Sequence, residues 1–183
     1  MPTQPQSDGY VIIVMGVSGA GKTTVGRALA NELRWAFREG DEFHPPRNIE
    51  KMAAGQALTD ADRAPWLAVL RKLIDDTLTR GERAVIACSA LRHQYRKQLT
   101  PEGPRGESVK FVFLDVPVDV LRLRLTTRTG HFMTDTLLDS QLATLEPPRS
   151  AIRVDGTPPV DEIVREVRRR LGLATRDFSG PIA

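Results

Sequence analysis

The segment Gly16-Val-Ser-Gly-Ala-Gly21-Lys22-Thr23 constrains this chain more than any other part of it. It fits the spacing G-x-x-x-x-G-K-S/T. A short β-branched apolar run, 10–15, precedes it. Val25, Ala28, Leu29 and Leu33 follow at helical spacing. Strand, glycine-rich turn and helix together make a cradle for a polyanion. Crowded phosphates need backbone N–H groups aimed inward, which small residues permit. The helix that follows adds its positive end. Gly16, Val17, Ser18, Gly19, Ala20, Gly21, Lys22, Thr23 and Thr24 are therefore the candidate nucleotide-binding residues. Lys22 reaches the β- and γ-phosphates as a point charge and is a candidate catalytic residue, and the Thr23 hydroxyl is a candidate Mg²⁺ ligand. ATP and Mg²⁺ are the implied cofactors.

The loop by itself does not separate a kinase from a GTPase or an AAA-type ATPase. Those classes carry an acidic residue after another apolar strand. Asp115, after Phe111-Val-Phe-Leu, is the superficial counterpart, but Val116-Pro117 follows it rather than Glu or Gly. The alternative reading is a strand end leading into a helix.

Further strands are expected at 35–38, 83–87, 109–114 and 151–154. Helices are expected over 65–80, 91–99, 118–128 and 137–145. A last amphipathic helix carries Val160, Ile163, Val164, Val167 and Leu171 on one face. The stretch 41–62 is dense in Pro, Asn, His and charge and reads as loop with a short helix. Alternating strands and helices predict an α/β fold, a parallel sheet covered on both faces. No domain boundary is visible, so 1–183 reads as one domain, with 1–9 and 174–183 as flexible tails.

The net charge is only +3, which argues against a nucleic-acid or membrane-surface partner. No apolar run approaches the roughly 20 residues of a membrane span, and the polar N-terminus does not read as a signal peptide. One cysteine, Cys88, allows no disulfide within the chain, which fits a reducing cytoplasm. His44, His93 and His131 lack metal-ligand spacing.

The acceptor side is expected just past the second strand, where the ligand crevice of a doubly wound sheet forms. Glu39-Gly-Asp41-Glu-Phe-His44-Pro45 stands there. A carboxylate at this place can take the proton of an attacking hydroxyl. Asp41 is the candidate base. Glu39 is its rival, as base or as a metal partner.

Four longer segments carry a family resemblance. The first is Asn48-Ile-Glu-Lys51-Met52-x-x-Gly55-x-x-Leu58-x-Asp60-x-Asp62-Arg63-x-Pro65-Trp66-Leu67. The second is Ala87-Cys88-Ser89-Ala90-Leu91-Arg92-x-x-Tyr95-Arg96. The third is Arg124-Leu-x-x-Arg128-x-Gly130-His131-Phe132. The fourth is Leu138-x-Ser140-Gln141-x-x-x-Leu145-Glu146. With the phosphate loop they resemble the gluconokinase family, in its order, over nearly the whole chain.

That resemblance implies ATP-dependent phosphorylation of D-gluconate to 6-phospho-D-gluconate, feeding sugar-acid catabolism by the pentose phosphate or Entner–Doudoroff route. It implies a fold similar to shikimate kinase, a single P-loop kinase domain with a five-stranded parallel sheet, and suggests a homodimer. It implies a lid at about 122–136, in which Arg124 and Arg128, four apart on one helix face, close over the phosphates; the alternative reading is a basic helix C-terminus that complements the dipole. Arg128 is the catalytic candidate of the pair. Expected gluconate contacts are Asp41, His44, Arg47, Asn48, Lys51, Arg63, Arg92, His131 and Gln141. Glu39 stands where Asp is common in the family, Arg92 where Lys is common, and Leu142 where Phe is common.

A shikimate or nucleoside kinase is the second enzyme reading. Cys88-Ser89-Ala90 stands where shikimate kinases usually carry three glycines, which argues against it. A nucleotide-gated regulatory module without an acceptor is the reading from another class. Such a module needs neither Asp41 nor the paired arginines.

Overall fold

A computed structural model describes residues 9–127 and 135–173 of the chain. Its centre is β1, Tyr10–Met15, in which Val11 through Met15 are fully buried. β1 has no polar face because both of its sides are covered. Ile12 and Val14 point into one apolar cluster, and Val11, Ile13 and Met15 into another on the opposite side.

Four more strands complete a parallel sheet around it. They are β2 (Ala36–Glu39), β3 (Arg83–Ala87), β4 (Val109–Asp115) and β5 (Ile152–Asp155). The order across the sheet is β2-β3-β1-β4-β5. Ile12 lies opposite Val85 on one side and Lys110 on the other. The five-stranded parallel sheet is as expected, with each strand end within about two residues.

Seven helices are described: α1 (Lys22–Leu33), α2 (Pro46–Ala53), α3 (Asp60–Thr79), α4 (His93–Leu99), α5 (Val118–Thr126), α6 (Asp135–Thr144) and α7 (Val160–Leu171). α1 and α7 cover the Ile12 side through Val25, Leu29, Ile163, Val164 and Val167. α3 and α4 cover the Ile13 side through Trp66, Leu70, Ile74, Tyr95 and Leu99. No helix among the described residues is long and apolar enough to cross a membrane.

α3 begins five residues earlier than the expected 65. Thr59 is the reason. Its hydroxyl accepts from the Asp62 N–H at 3.2 Å, and the Asp62 carboxylate accepts from the Thr59 N–H at 2.9 Å. This reciprocal cap starts the helix upstream of Pro65. Pro65 then lies inside the second turn, where it has no N–H to offer the Ala61 carbonyl. Thr59-x-x-Asp62 was visible in the sequence but departs from the usual Glu or Gln at the third position.

Candidate active site

The phosphate loop leaves β1 at Gly16 and enters α1 at Gly21. Gly19 and Gly21 hold φ of 81° and 96°, the left-handed region where a side chain is strained. Val17 and Ala20 are buried, which anchors the loop on the sheet. Lys22 Nζ donates to the Val17 carbonyl at 3.1 Å. The Ser18 N–H donates to Gln141 Oε1 at 2.7 Å, so α6 braces the loop from 123 residues away. Gln141, expected at the acceptor, is thus placed against the loop backbone.

Arg124 reaches the same loop from α5. Its guanidinium donates to the Gly156 carbonyl at 2.8 Å and approaches the carbonyls of Gly19 and Ala20 at 3.4 and 3.5 Å. A cavity of about 300 Å³ opens beside it, lined by Gly21, Thr24, Arg124, Thr127, Gly156 and Pro158 among others. Larger cavities of about 560 and 390 Å³ lie against α7, and one of about 620 Å³ lies between α3 and α4. None of these contains a residue of the loop.

The second strand ends opposite the loop. Thr23 Oγ1 donates to Glu39 Oε2 at 2.6 Å. Burial raises the Glu39 carboxyl above its ordinary value, while the Thr23 hydrogen bond lowers it and the Asp41 charge raises it. Asp41 follows in a 3₁₀ turn, Gly40–Phe43. Gly40 is required here. A Cβ on it would stand 2.4 Å from the Ala87 carbonyl oxygen, so the turn presses directly on the end of β3. The Gly40 carbonyl in turn accepts from Trp66 Nε1 at 2.7 Å. Lys22, Thr23, Glu39 and Asp41, which the sequence offered as separate candidates, lie at one place.

His44 ends that turn. Its ring stacks on Trp66 with centroids 4.2 Å apart. Asn48 Nδ2 lies 3.3 Å from His44 Nδ1 and donates to the Asp62 carbonyl oxygen at 2.7 Å. Burial lowers the His44 pKa. Asp41 opposes that shift and Arg63 adds to it.

The cations expected around the acceptor divide into two groups. Arg47 and Lys51 both pair with the buried Asp62 carboxylate, at 3.0 and 2.8 Å. Lys51, then the Thr59 N–H and hydroxyl, hold Asp62 well below the usual carboxylate range. Arg92 pairs with Asp60 at 2.7 Å, and Tyr95 donates its hydroxyl to the same carboxylate. Arg63 donates to the Leu58 carbonyl at 2.6 Å and to the Tyr95 hydroxyl at 3.3 Å. Both guanidinium groups lie within 6 Å of the Tyr95 ring centroid. Asp60, Asp62 and Tyr95 therefore organise the region. The sequence contained them without marking their roles. Arg128 and His131 lie outside the described residues, as does most of the stretch between α5 and α6 where the lid was expected.

Asp115 does not join the site. Arg153 on the neighbouring β5 grips its carboxylate at 2.8 and 2.6 Å. That fits the strand-end reading of this residue. Cys88 is fully buried beside β1, and burial pushes its thiol up to about 12, which makes it packing rather than a nucleophile.

A parallel sheet ordered 2-3-1-4-5, a glycine loop between its central strand and the next helix, and a carboxylate on the loop threonine define a P-loop phosphotransferase domain. A family model described as an AAA domain matches residues 11–148. A gluconokinase of Gluconobacter oxydans is 49% identical over 163 residues, covering 86% of this chain and 89% of that one. A gluconokinase structure from Sinorhizobium meliloti is 44% identical with a TM-score of 0.80, covering 93% of this chain and 96% of that chain. A shikimate kinase from Bacteroides thetaiotaomicron shares the fold, with a TM-score of 0.66 at 21% identity, covering 90% and 99%. The chain belongs to the gluconokinase family.

Proposed function

We propose that this chain transfers the γ-phosphoryl group of ATP to the terminal hydroxyl of D-gluconate, giving 6-phospho-D-gluconate and ADP. The observation that carries the reading is the 2.6 Å bond from Thr23 to Glu39. It sets the acceptor-side carboxylates beside the loop that holds the phosphates. The family relatives supply the identity of the acceptor.

Phosphoryl transfer asks a protein for alignment and charge neutralisation more than for covalent chemistry. Lys22 neutralises the β- and γ-phosphates, and loop N–H groups hold them. Asp41 orients the gluconate hydroxyl and takes its proton as the oxygen attacks phosphorus. The bond from phosphorus to the bridging oxygen of ADP breaks as the new one forms. Arg124 and the 300 Å³ cavity beside it suit the nucleoside end. Arg128 and His131 are assigned to the closing lid and the acceptor by resemblance. Arg63 and Arg92 are the cations proposed for the gluconate carboxylate.

Thr23 and Glu39 offer two hard oxygen donors, which suits Mg²⁺. Among the described residues no group of three His, Cys, Asp or Glu could hold a metal alone. Phosphate oxygens and water would complete the shell. The ion supplies charge neutralisation at the phosphates when bound. The cytoplasm and a homodimeric state belong to the same reading.

The test is a coupled ADP-release assay with gluconate, shikimate and nucleosides as acceptors. Gluconate should give turnover well above background. Turnover with another acceptor and none with gluconate removes the assignment. ATP hydrolysis that ignores every acceptor favours the regulatory-module reading instead.

A further inference from the structure

Asn48 and His44 form a pair whose hydrogen-bond logic has one consistent solution. Asn48 is 1% exposed, on the inner side of α2. Its amide nitrogen lies 2.7 Å from the Asp62 carbonyl oxygen, which can only accept. An amide oxygen at that place would set two acceptors in contact. The amide orientation is therefore determined. That carbonyl cannot turn away to relieve it, because it belongs to the first turn of α3, which the Thr59 cap fixes.

The same amide nitrogen lies 3.3 Å from His44 Nδ1. One of its two hydrogens serves Asp62, and the second faces the imidazole. Nδ1 must then present its lone pair, since a proton there would set two donors against each other. The ring proton resides on Nε2. Asn48 Oδ1 is buried and has no partner among the described residues, an arrangement that costs stability. Rotating the amide would trade that cost for the clash at Asp62.

We propose that Asn48 is a positioning residue. It fixes His44 as the neutral imidazole protonated on Nε2, and His44 then donates a hydrogen bond to an oxygen of the acceptor. The second half rests on the reading of residues 39–48 as the acceptor side. One further contact holds the ring, and it is itself held. Trp66 stacks on it at an interplanar angle of 15°, and Trp66 is itself anchored to the Gly40 carbonyl. The charged groups facing His44 are Asp41 from the 3₁₀ turn and Arg63 from α3, and they act in opposite directions. Burial is the larger influence and disfavours the imidazolium. A fixed N–H donor reads oxygen position without adding charge to a site that already binds two anions.

The experiment is long-range ¹H–¹⁵N correlation of the histidine rings in the full chain at pH 7. Disappearance of one ring system in His44→Gln assigns the resonances. The expected spectrum shows a protonated Nε2 and a pyridine-type Nδ1. Asn48→Asp replaces the donor by an acceptor and should move the proton onto Nδ1. The same variant should raise the gluconate KM by roughly tenfold, the scale of one lost hydrogen bond, with the ATP KM unchanged. A wild-type spectrum with Nδ1 protonated overturns the proposal, even if Asn48→Asp fails to fold. So does a tautomer that Asn48→Asp leaves as it was. If the tautomer behaves as stated and wild type does not phosphorylate gluconate, the acceptor assignment fails and the positioning role of Asn48 stands.

Discussion

Thr23 donates its hydroxyl to Glu39 across 2.6 Å and so ties the first turn of α1 to the end of β2. These residues are sixteen apart in sequence, and one of them closes the phosphate loop. Burial holds the Glu39 carboxyl above its ordinary pKa, so its ionised form is disfavoured in the fold. A raised carboxyl contributes stability below its unfolded pKa and loses it as pH rises through the folded value. At pH 7 the charge therefore costs the fold stability. Glu39→Gln should raise Tm slightly while shifting the Mg²⁺ titration of turnover to higher concentration. Unchanged metal dependence would remove Glu39 from the metal's surroundings.

Lys22→Ala deletes the charge proposed to lie on the β- and γ-phosphates. The loop remains anchored by Val17 and Ala20, and α1 by Val25 and Leu29, so the fold should persist. Turnover should fall by at least ~10³-fold, the scale of losing a cation on the transferring phosphoryl group. Circular dichroism with ADP-release kinetics checks both halves. A variant near wild-type kcat refutes the role.

Asp41→Asn keeps the shape of the turn and removes the proposed base. A fall in kcat of roughly 10²–10⁴ is expected, with ATP affinity little changed. If Glu39→Gln is crippled and Asp41→Asn is not, the two carboxylates exchange roles. If neither substitution slows turnover, no general base acts from this segment.

Asp62 joins α2 to the cap of α3 through Lys51, Arg47 and Thr59. Its depressed pKa contributes stability above the unfolded Asp value of about 3.9, lost as pH falls through the lower folded value. Asp62→Asn should lower Tm at pH 7 by roughly 5–10 °C. It should also flatten the loss of Tm below about pH 4. Thermal melts from pH 2 to 8 provide the check, and an unchanged acid limb would show that Asp62 carries no such linkage.

Arg63 and Arg92 both approach Tyr95, and Arg92 pairs with Asp60. A carboxylate can replace Asp60 as their partner. Arg63→Ala should raise the gluconate KM by roughly tenfold or more and leave the ATP KM near wild type. Equal changes in both constants would mean a distorted site rather than a lost contact.

The local signals in this chain were strong where one segment contains its own reason. Gly16 to Thr23 shows its chemistry because a phosphate cradle needs those residues contiguously. Tyr10–Met15 reads as a buried strand because both its faces are covered. For the start of α3, Pro65 is a louder signal in the sequence than Thr59, although the cap is what begins the helix.

Short-range pattern and periodicity carry the α/β class, the parallel sheet and the nucleotide loop. The resemblance added the acceptor. What each polar residue touches is set by packing between distant segments. Ser18 meets Gln141 across 123 residues, and Arg124 meets Gly156 across 32. No spacing rule encodes such contacts, because they depend on how α5, α6 and the end of β5 pack over the loop. The same holds for Arg47 and Lys51, which look like free cations in the chain and are bound to Asp62 in the fold. A buried carboxylate needs paired charge, and the residues that satisfy it are set by packing.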